Sequence, residues 1–260
     1  MPYQFFSDSW IAFRALYRYF NPVAYLATAV LLPAEQMLLY VLLGRYAGGP
    51  DRVQFLVLGS CIVMAGISGL SAANLMAEER AGGTLPLILA SPVSRTRVYL
   101  QRAVFFVADA LFAVAVSLLV AAGIFGLDVS RANLPVFGAA VLVSVISSLA
   151  TGLFLGAITL ASAELHLVTN GVFQLIVVAA GVLVPVTSLP APLAAVSQVL
   201  PFSHGVRAAR AAFDGASLHS VAGPLGLELL VAACYAALAV GGLRLFERVA
   251  VRRGTLEATS

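Results

Sequence analysis

Few side chains in this sequence are equipped for chemistry. The histidines are His166, His204 and His219, and the cysteines are Cys61 and Cys234. Gly66-Ile67-Ser68-Gly69 sets a serine in an apolar run, as intramembrane serine proteases do, but that chemistry needs a base to take the hydroxyl proton. All three histidines fall in loops or at the ends of apolar runs, so Ser68 gains no base at matching depth. An intramembrane enzyme or protease is therefore the weaker alternative. The sequence has no HExxH and no paired acids spaced to hold magnesium, so no metal site is expected. Both cysteines lie inside apolar runs, where a thiol packs as a small hydrophobe. All fifteen basic residues are arginine. A phosphate-binding P-loop requires a lysine, so the chain itself is not expected to hydrolyse ATP or to carry a cofactor.

The acids inside apolar runs are the next candidates, because an ionisable group at the centre of a bilayer costs about 2.5–3.5 kcal/mol on insertion scales. Glu35 and Gln36 follow Pro33. They either face a substrate path or bond the carbonyls that the proline frees. Asp109 and Glu228 lie within later apolar runs, where they either pair with polar groups inside a helical bundle, the favoured reading, or touch substrate along a translocation path.

The most polar stretch between apolar runs is Glu78-Glu79-Arg80-Ala81-Gly82-Gly83-Thr84-Leu85-Pro86-Leu87-Ile88-Leu89-Ala90-Ser91-Pro92-Val93-Ser94-Arg95. A Gly-Thr start, apolar residues at Leu85, Leu87 and Leu89, and a Ser-Pro stop describe a short helix bracketed by charge. An ordinary polar loop fits the same residues.

These groups are positioned by a chain that is 61% hydrophobic and 10% charged over 260 residues, with a mean hydropathy of +0.98. That leaves too little polar surface to cover a water-soluble globule, so lipid must cover the rest. The net charge of +3 does not point to nucleic acid, because the arginines are scattered between apolar runs. Residues 1–22 read as an amphipathic interfacial helix, with Phe6, Trp10, Phe13, Tyr17 and Phe20 on one stripe and Arg14 and Arg18 off it. Stretches of roughly 20 apolar residues, enough to cross a bilayer, follow at 23–44, 53–77, 100–126, 134–162, 168–189 and 223–246. The expected fold is thus an all-α membrane protein with a six-span domain over 23–246 and a tail at 247–260. Ten arginines (14, 18, 80, 95, 97, 102, 244, 248, 252 and 253) fall on one side of that topology and five (45, 52, 131, 207 and 210) on the other. The ten-arginine side, with both termini, is expected to be cytoplasmic. The segment 190–222 is too broken by Pro201 and Arg207 to span and is expected to form a short external re-entrant pair of helices.

At this point the sequence resembles a known family, the ABC-2 type permeases of ATP-binding cassette exporters, including the daunorubicin-resistance and nodulation-factor export subunits. The family pattern E-R-x-x-G-T-L-x-x-L-L-x-[ST]-P-V-[ST]-R is matched at Glu79, Arg80, Gly83, Thr84, Leu85, Leu89, Ser91, Pro92, Val93, Ser94 and Arg95, with departures at Pro86 and Ile88. A second resemblance lies in Pro201, Ser203, Arg207 and Arg210, at the place where the family carries proline, a small hydroxyl residue and arginine. The resemblance implies that residues 78–98, with Glu78 to Arg95 as contacts, form a coupling helix docked on a cytoplasmic ATPase present in two copies. It also implies ATP and Mg²⁺ on that partner, a second permease copy or a similar permease, and a bacterial plasma (inner) membrane as the setting. The expected cargo is a lipophilic drug, a lipid or a lipid-linked glycan. A non-transporting membrane subunit that binds an ATPase is a further alternative.

Overall fold

In a computed structural model of the chain, the described residues are 22–48, 50–73, 95–159 and 165–253. Eight α-helices occur among them, with no strand. They are α1 (Pro22–Ala47), α2 (Pro50–Leu70), α3 (Arg95–Gly123), α4 (Leu134–Thr159), α5 (Leu165–Ala179), α6 (Ala191–Ser197), α7 (Ser203–Phe213) and α8 (Leu218–Arg253). Single 3₁₀ turns at Ser71–Ala73 and Val186–Ser188 extend α2 and precede α6.

Local sequence explains several boundaries. Both α1 and α2 begin on proline, whose fixed φ suits the first helical position and whose missing N–H would have no partner there. Asn133 stands before α4, and its side-chain oxygen accepts from the Val136 N–H at 3.5 Å. Pro190 precedes α6, which is only seven residues long. Pro33 lies inside α1 and Pro224 inside α8.

Among the described residues, four helices are long and apolar enough to cross a membrane: Arg52–Ala73, Phe106–Gly123, Leu134–Ile158 and Leu218–Arg244. They coincide with the second, third, fourth and sixth stretches expected from sequence. The 26 residues of α1 are also long enough, at about 1.5 Å per residue, to cover about 39 Å. The fifth stretch differs from expectation. Its helix ends at Ala179, and Gly181, with φ +80°, turns the chain before residue 189 is reached. Fifteen helical residues rise about 22 Å, short of a hydrocarbon core of about 30 Å.

The core is arranged around α2. In its spanning stretch 83% of residues are buried, against 22% in the spanning stretches of α3 and α8, so α2 is the central post and those two are peripheral. Val57, Cys61, Ile62 and Ala65 of α2 join Val141 and Val145 of α4 and Val206 and Ala209 of α7 in one apolar cluster. The approach of α2 to α4 is close because both present small residues. A Cβ added at Gly152 would lie 2.7 Å from the Gly69 carbonyl oxygen, and one at Gly156 3.0 Å from that of Ala73. The Gly152-to-Gly156 pattern therefore serves packing within one chain. Ser144, Ser148 and Thr151 line the same buried helix, and their hydroxyls donate to carbonyls of α4 itself. Such serines occupy little more room than alanine and leave no donor unmet.

Candidate functional site

Glu228 is the largest polar side chain sealed inside the bundle, with 0% of its surface exposed. It sits one turn after Pro224 on α8, and its carboxyl group points at the start of α7. Oε1 accepts from the Phe202 N–H at 2.7 Å, and Oε2 accepts from the N–H groups of His204 and Gly205, each at 3.0 Å. The first turn of any helix has N–H groups without intrahelical acceptors and carries the positive end of the helix dipole. Glu228 satisfies those groups from another helix, which makes it a cap in trans. Phe202 reaches this geometry in the left-handed conformation, φ 59°, the only such non-glycine residue among those described. The strain is held in place by packing: its ring is fully buried, and a Cβ at Gly66 of α2 would come within 3.0 Å of it. A side chain at Gly205 would overlap the Ser144 hydroxyl, so α7 can approach α4 only with glycine there.

The motif residues of the second resemblance divide. Pro201 and Ser203 are buried at the turn into α7, and the Ser203 hydroxyl has no hydrogen-bond partner. Arg207 is exposed. Its Nη2 contacts His204 Nδ1 and lies 3.5 Å from Gln198 Oε1, while His204 Nε2 faces the Gln198 carbonyl at 2.9 Å. Arg210, one turn further on, faces the other way. Its guanidinium donates to the carbonyls of Gly181 and Val182, both at 2.8 Å, and of Phe55 at 3.3 Å. Its Cζ also stands 3.6 Å from the centroid of the Phe55 ring. Burial pulls this guanidinium down to about 10, so it remains charged at neutral pH and the carbonyls and ring take the place of water around it. The Gly181 and Val182 carbonyls belong to the turn after α5, where helical bonding has ended, and the Phe55 carbonyl to α2.

The other acids lie elsewhere. Asp109 of α3 accepts from the Ser68 hydroxyl at 2.7 Å. That contact directs the hydroxyl of the Gly66-to-Gly69 run toward a carboxyl group. Glu35 is exposed near the middle of α1, while Gln36 beside it turns inward and its side-chain oxygen is buried without a donor. Neither comes near Glu228 or the arginines through any contact among the described residues. The coupling candidates Glu78, Glu79, Arg80, Gly83, Thr84, Leu85, Leu89, Ser91 and Pro92 fall outside the described residues, as does the amphipathic segment 1–21. Arg95 is the first residue of α3. Among the described residues no group of histidine, cysteine and acidic side chains could hold a metal ion.

With this geometry in view, the comparisons with known proteins are decisive at one level. Residues 45–240 match the model for the ABC-2 family transporter proteins. The chain belongs to that family. A search of curated proteins found no match. The family match begins in the last turn of α1, takes in α2 to α7 entire and ends within α8. It includes Asp109, Glu228, the 78–95 segment and the arginines of α7, and it leaves Glu35 outside. An ABC-2 family chain is a membrane permease component of an ATP-binding cassette transporter, in keeping with four apolar helices of spanning length.

Three residues of the site escaped the sequence reading. Gln198 and His204 were indistinguishable from ordinary loop residues, and nothing in the sequence singled out Phe55 as the ring that would cover a guanidinium. Glu228 was visible as an acid in an apolar run. Its donors were not, because backbone N–H groups leave no mark on a sequence.

Proposed function

We propose that the chain is the membrane-spanning permease subunit of an ATP-binding cassette exporter. It moves a lipophilic or amphipathic cargo out of the cytoplasm or the inner leaflet of a bacterial plasma membrane. The observation that carries this reading is the family match from the end of α1 into α8. ATP and Mg²⁺ bind a separate cytoplasmic ATPase present in two copies, and the permease pairs with a second copy of itself or a similar chain. The α1 helix and, together with the apolar chain that follows it to Leu189, the short α5 helix complete six crossings, both termini are cytoplasmic, and α6 and α7 form the external re-entrant pair. The segment from Glu78 to about residue 98 is the coupling helix, with Glu78, Glu79, Arg80 and Arg95 as its charged anchors.

Coupling of this kind works through a two-state element biased from both ends. ATP binding draws the ATPase subunits together, and the coupling helix carries that displacement to α2 and α3, which flank it in sequence. Transport follows only if cargo binds the inward-open state better than the outward-open one.

The test is co-expression with an ATP-binding cassette ATPase sought in the adjacent reading frames, purification, and reconstitution in liposomes. The expected result is an ATPase that co-purifies with the chain and an ATP hydrolysis rate that rises with added lipophilic cargo. Glu79→Arg and Arg80→Glu should each abolish co-purification or uncouple hydrolysis from export. If both variants retain the partner and full export, the coupling assignment fails. Turnover of a substrate by the isolated chain without nucleotide would instead make it an intramembrane enzyme.

A further inference from the structure

The α7 helix runs inward from one end of the bundle. The Asn133 N–H, just before α4, donates to the Ala212 carbonyl at 2.9 Å, and the Gln54 side chain, near the start of α2, donates to Asp214 at 3.3 Å. At the other end of α7 the Phe202 ring lies against Gly66, about 16 Å further along α2 than Phe55. Arg207 therefore sits about 7.5 Å inside the level at which α4 starts. The spanning part of α4, Leu134–Ile158, covers about 37 Å, and a hydrocarbon core is about 30 Å thick. The depth of Arg207 is thus that at which acyl chains meet headgroups.

An arginine at that boundary ordinarily extends its side chain toward water. Arg207 is exposed but held the other way. Its Nη2 is engaged by His204, deeper on the same helix, and by Gln198 in the turn before it. His204 is itself only 3% exposed and faces the Gln198 carbonyl through Nε2, so the clamp has a buried footing. A guanidinium carries five N–H donors. Those on Nε and Nη1 meet no partner among the described residues. No carboxylate among them pairs with this arginine, since Glu228 is taken up by backbone amides and Asp214 by Gln54. The surface that continues from Gln198 is apolar, with Val196 and Val199 at 47% and 60% exposure. A fixed positive charge with donors to spare thus stands beside a surface suited to acyl chains.

We infer that this face binds the headgroup of an anionic phospholipid, with Arg207 receiving the phosphodiester oxygens and Val196 and Val199 the upper part of an acyl chain. The occupant is a resident lipid and not cargo, so the inference goes beyond the permease reading and needs only that the spanning helices cross a bilayer. A phosphodiester supplies what the site lacks, namely negatively charged acceptors for the remaining N–H donors. Free phosphate would leave the valines uncovered, and a zwitterionic lipid brings a quaternary ammonium toward the guanidinium. The bound lipid pins the hairpin of α6 and α7 to its leaflet.

Native mass spectrometry of the full chain, purified in a non-ionic detergent, tests this by titration with phosphatidylglycerol, phosphatidylcholine or inorganic phosphate. Wild type should take up phosphatidylglycerol saturably and phosphatidylcholine at least about tenfold more weakly, and millimolar phosphate should not displace the bound lipid. Arg207→Gln should weaken phosphatidylglycerol uptake by at least about tenfold, while Arg131→Gln, at an exposed arginine of the same end, should leave it unchanged. Should Arg207→Gln fail to fold, Val199→Glu takes its place, since it sets a negative charge beside the site and should weaken uptake as much. Equal uptake of the two lipids, displacement by phosphate, equal loss in Arg131→Gln, or unaltered uptake by the site variants overturns the inference. Loss of a dimer peak in Arg207→Gln with lipid uptake intact would assign the face to a second copy and overturn it as well. Engagement of an ATPase by a chain that takes up no phosphatidylglycerol discards the lipid site and keeps the permease. Selective uptake by a chain that engages no ATPase does the reverse.

Discussion

Glu228, which is buried, and Arg210, which is half-buried, meet backbone groups and not each other. The distinction has energetic content, because each satisfies partners that would otherwise be orphaned by a helix start or a helix end. Glu228→Ala strands the N–H groups of Phe202, His204 and Gly205 in a buried setting, at about 1–3 kcal/mol for each unmet donor. Its thermal unfolding midpoint in detergent should fall well below that of wild type. Glu228→Gln keeps the volume but turns an amide NH₂ toward one of the donors, so its midpoint should lie between the two. A ranking with Gln below Ala, or no change in either, would mean that α7 does not depend on this cap. At this scale the sequence spoke clearly about which residues were anomalous and poorly about their partners. An acid in an apolar run stands out, whereas the amides and carbonyls that receive it are identical in every residue.

The elements divide by how much of each is packed. The α2 helix is enclosed because Gly69 and Gly152 let α4 cross it closely, and a side chain at either position would overlap its neighbour. Gly152→Val should therefore lower stability and the yield of monodisperse protein. Gly171→Ala, on α5 with open space around it, should be neutral or raise the midpoint slightly, since alanine favours a helix by up to about 1 kcal/mol. Equal behaviour of the two in size-exclusion chromatography would show that the α2–α4 crossing is looser than drawn. Helices of this kind were legible from hydropathy alone where an apolar run continued through 20 residues, as in α2, α3, α4 and α8. The α5 segment was not, because the run from 168 to 189 stays apolar past the point where Gly181 ends the helix. Hydropathy reports the solvent around a backbone and is blind to a change in its dihedral angles.

The proposed topology, argued from arginine placement along the whole sequence, has the cytoplasm on the side holding residues 14, 18, 80, 95, 97, 102, 244, 248, 252 and 253. A reporter active only outside the cytoplasm, fused after Pro50, should give signal, and one fused in the 78–98 segment should not. The opposite pattern would invert the topology and move the coupling segment away from any ATPase. The family and the helical architecture could be read from the sequence because they rest on composition and one local motif. The relation of α7 to its surroundings could not, since it joins residues from 55 to 228 that only the folded chain assembles. That relation has a mechanical consequence. Through Glu228 the helix is riveted to α8, and through Arg210 it is riveted to α2 and to the turn after α5. It acts as a cross-brace between a peripheral post and the central one. Any stroke that parts α2 from α8 at this end must carry the brace along as a rigid body or shear one set of rivets, so the cheaper stroke pivots about the braced end and swings the opposite one.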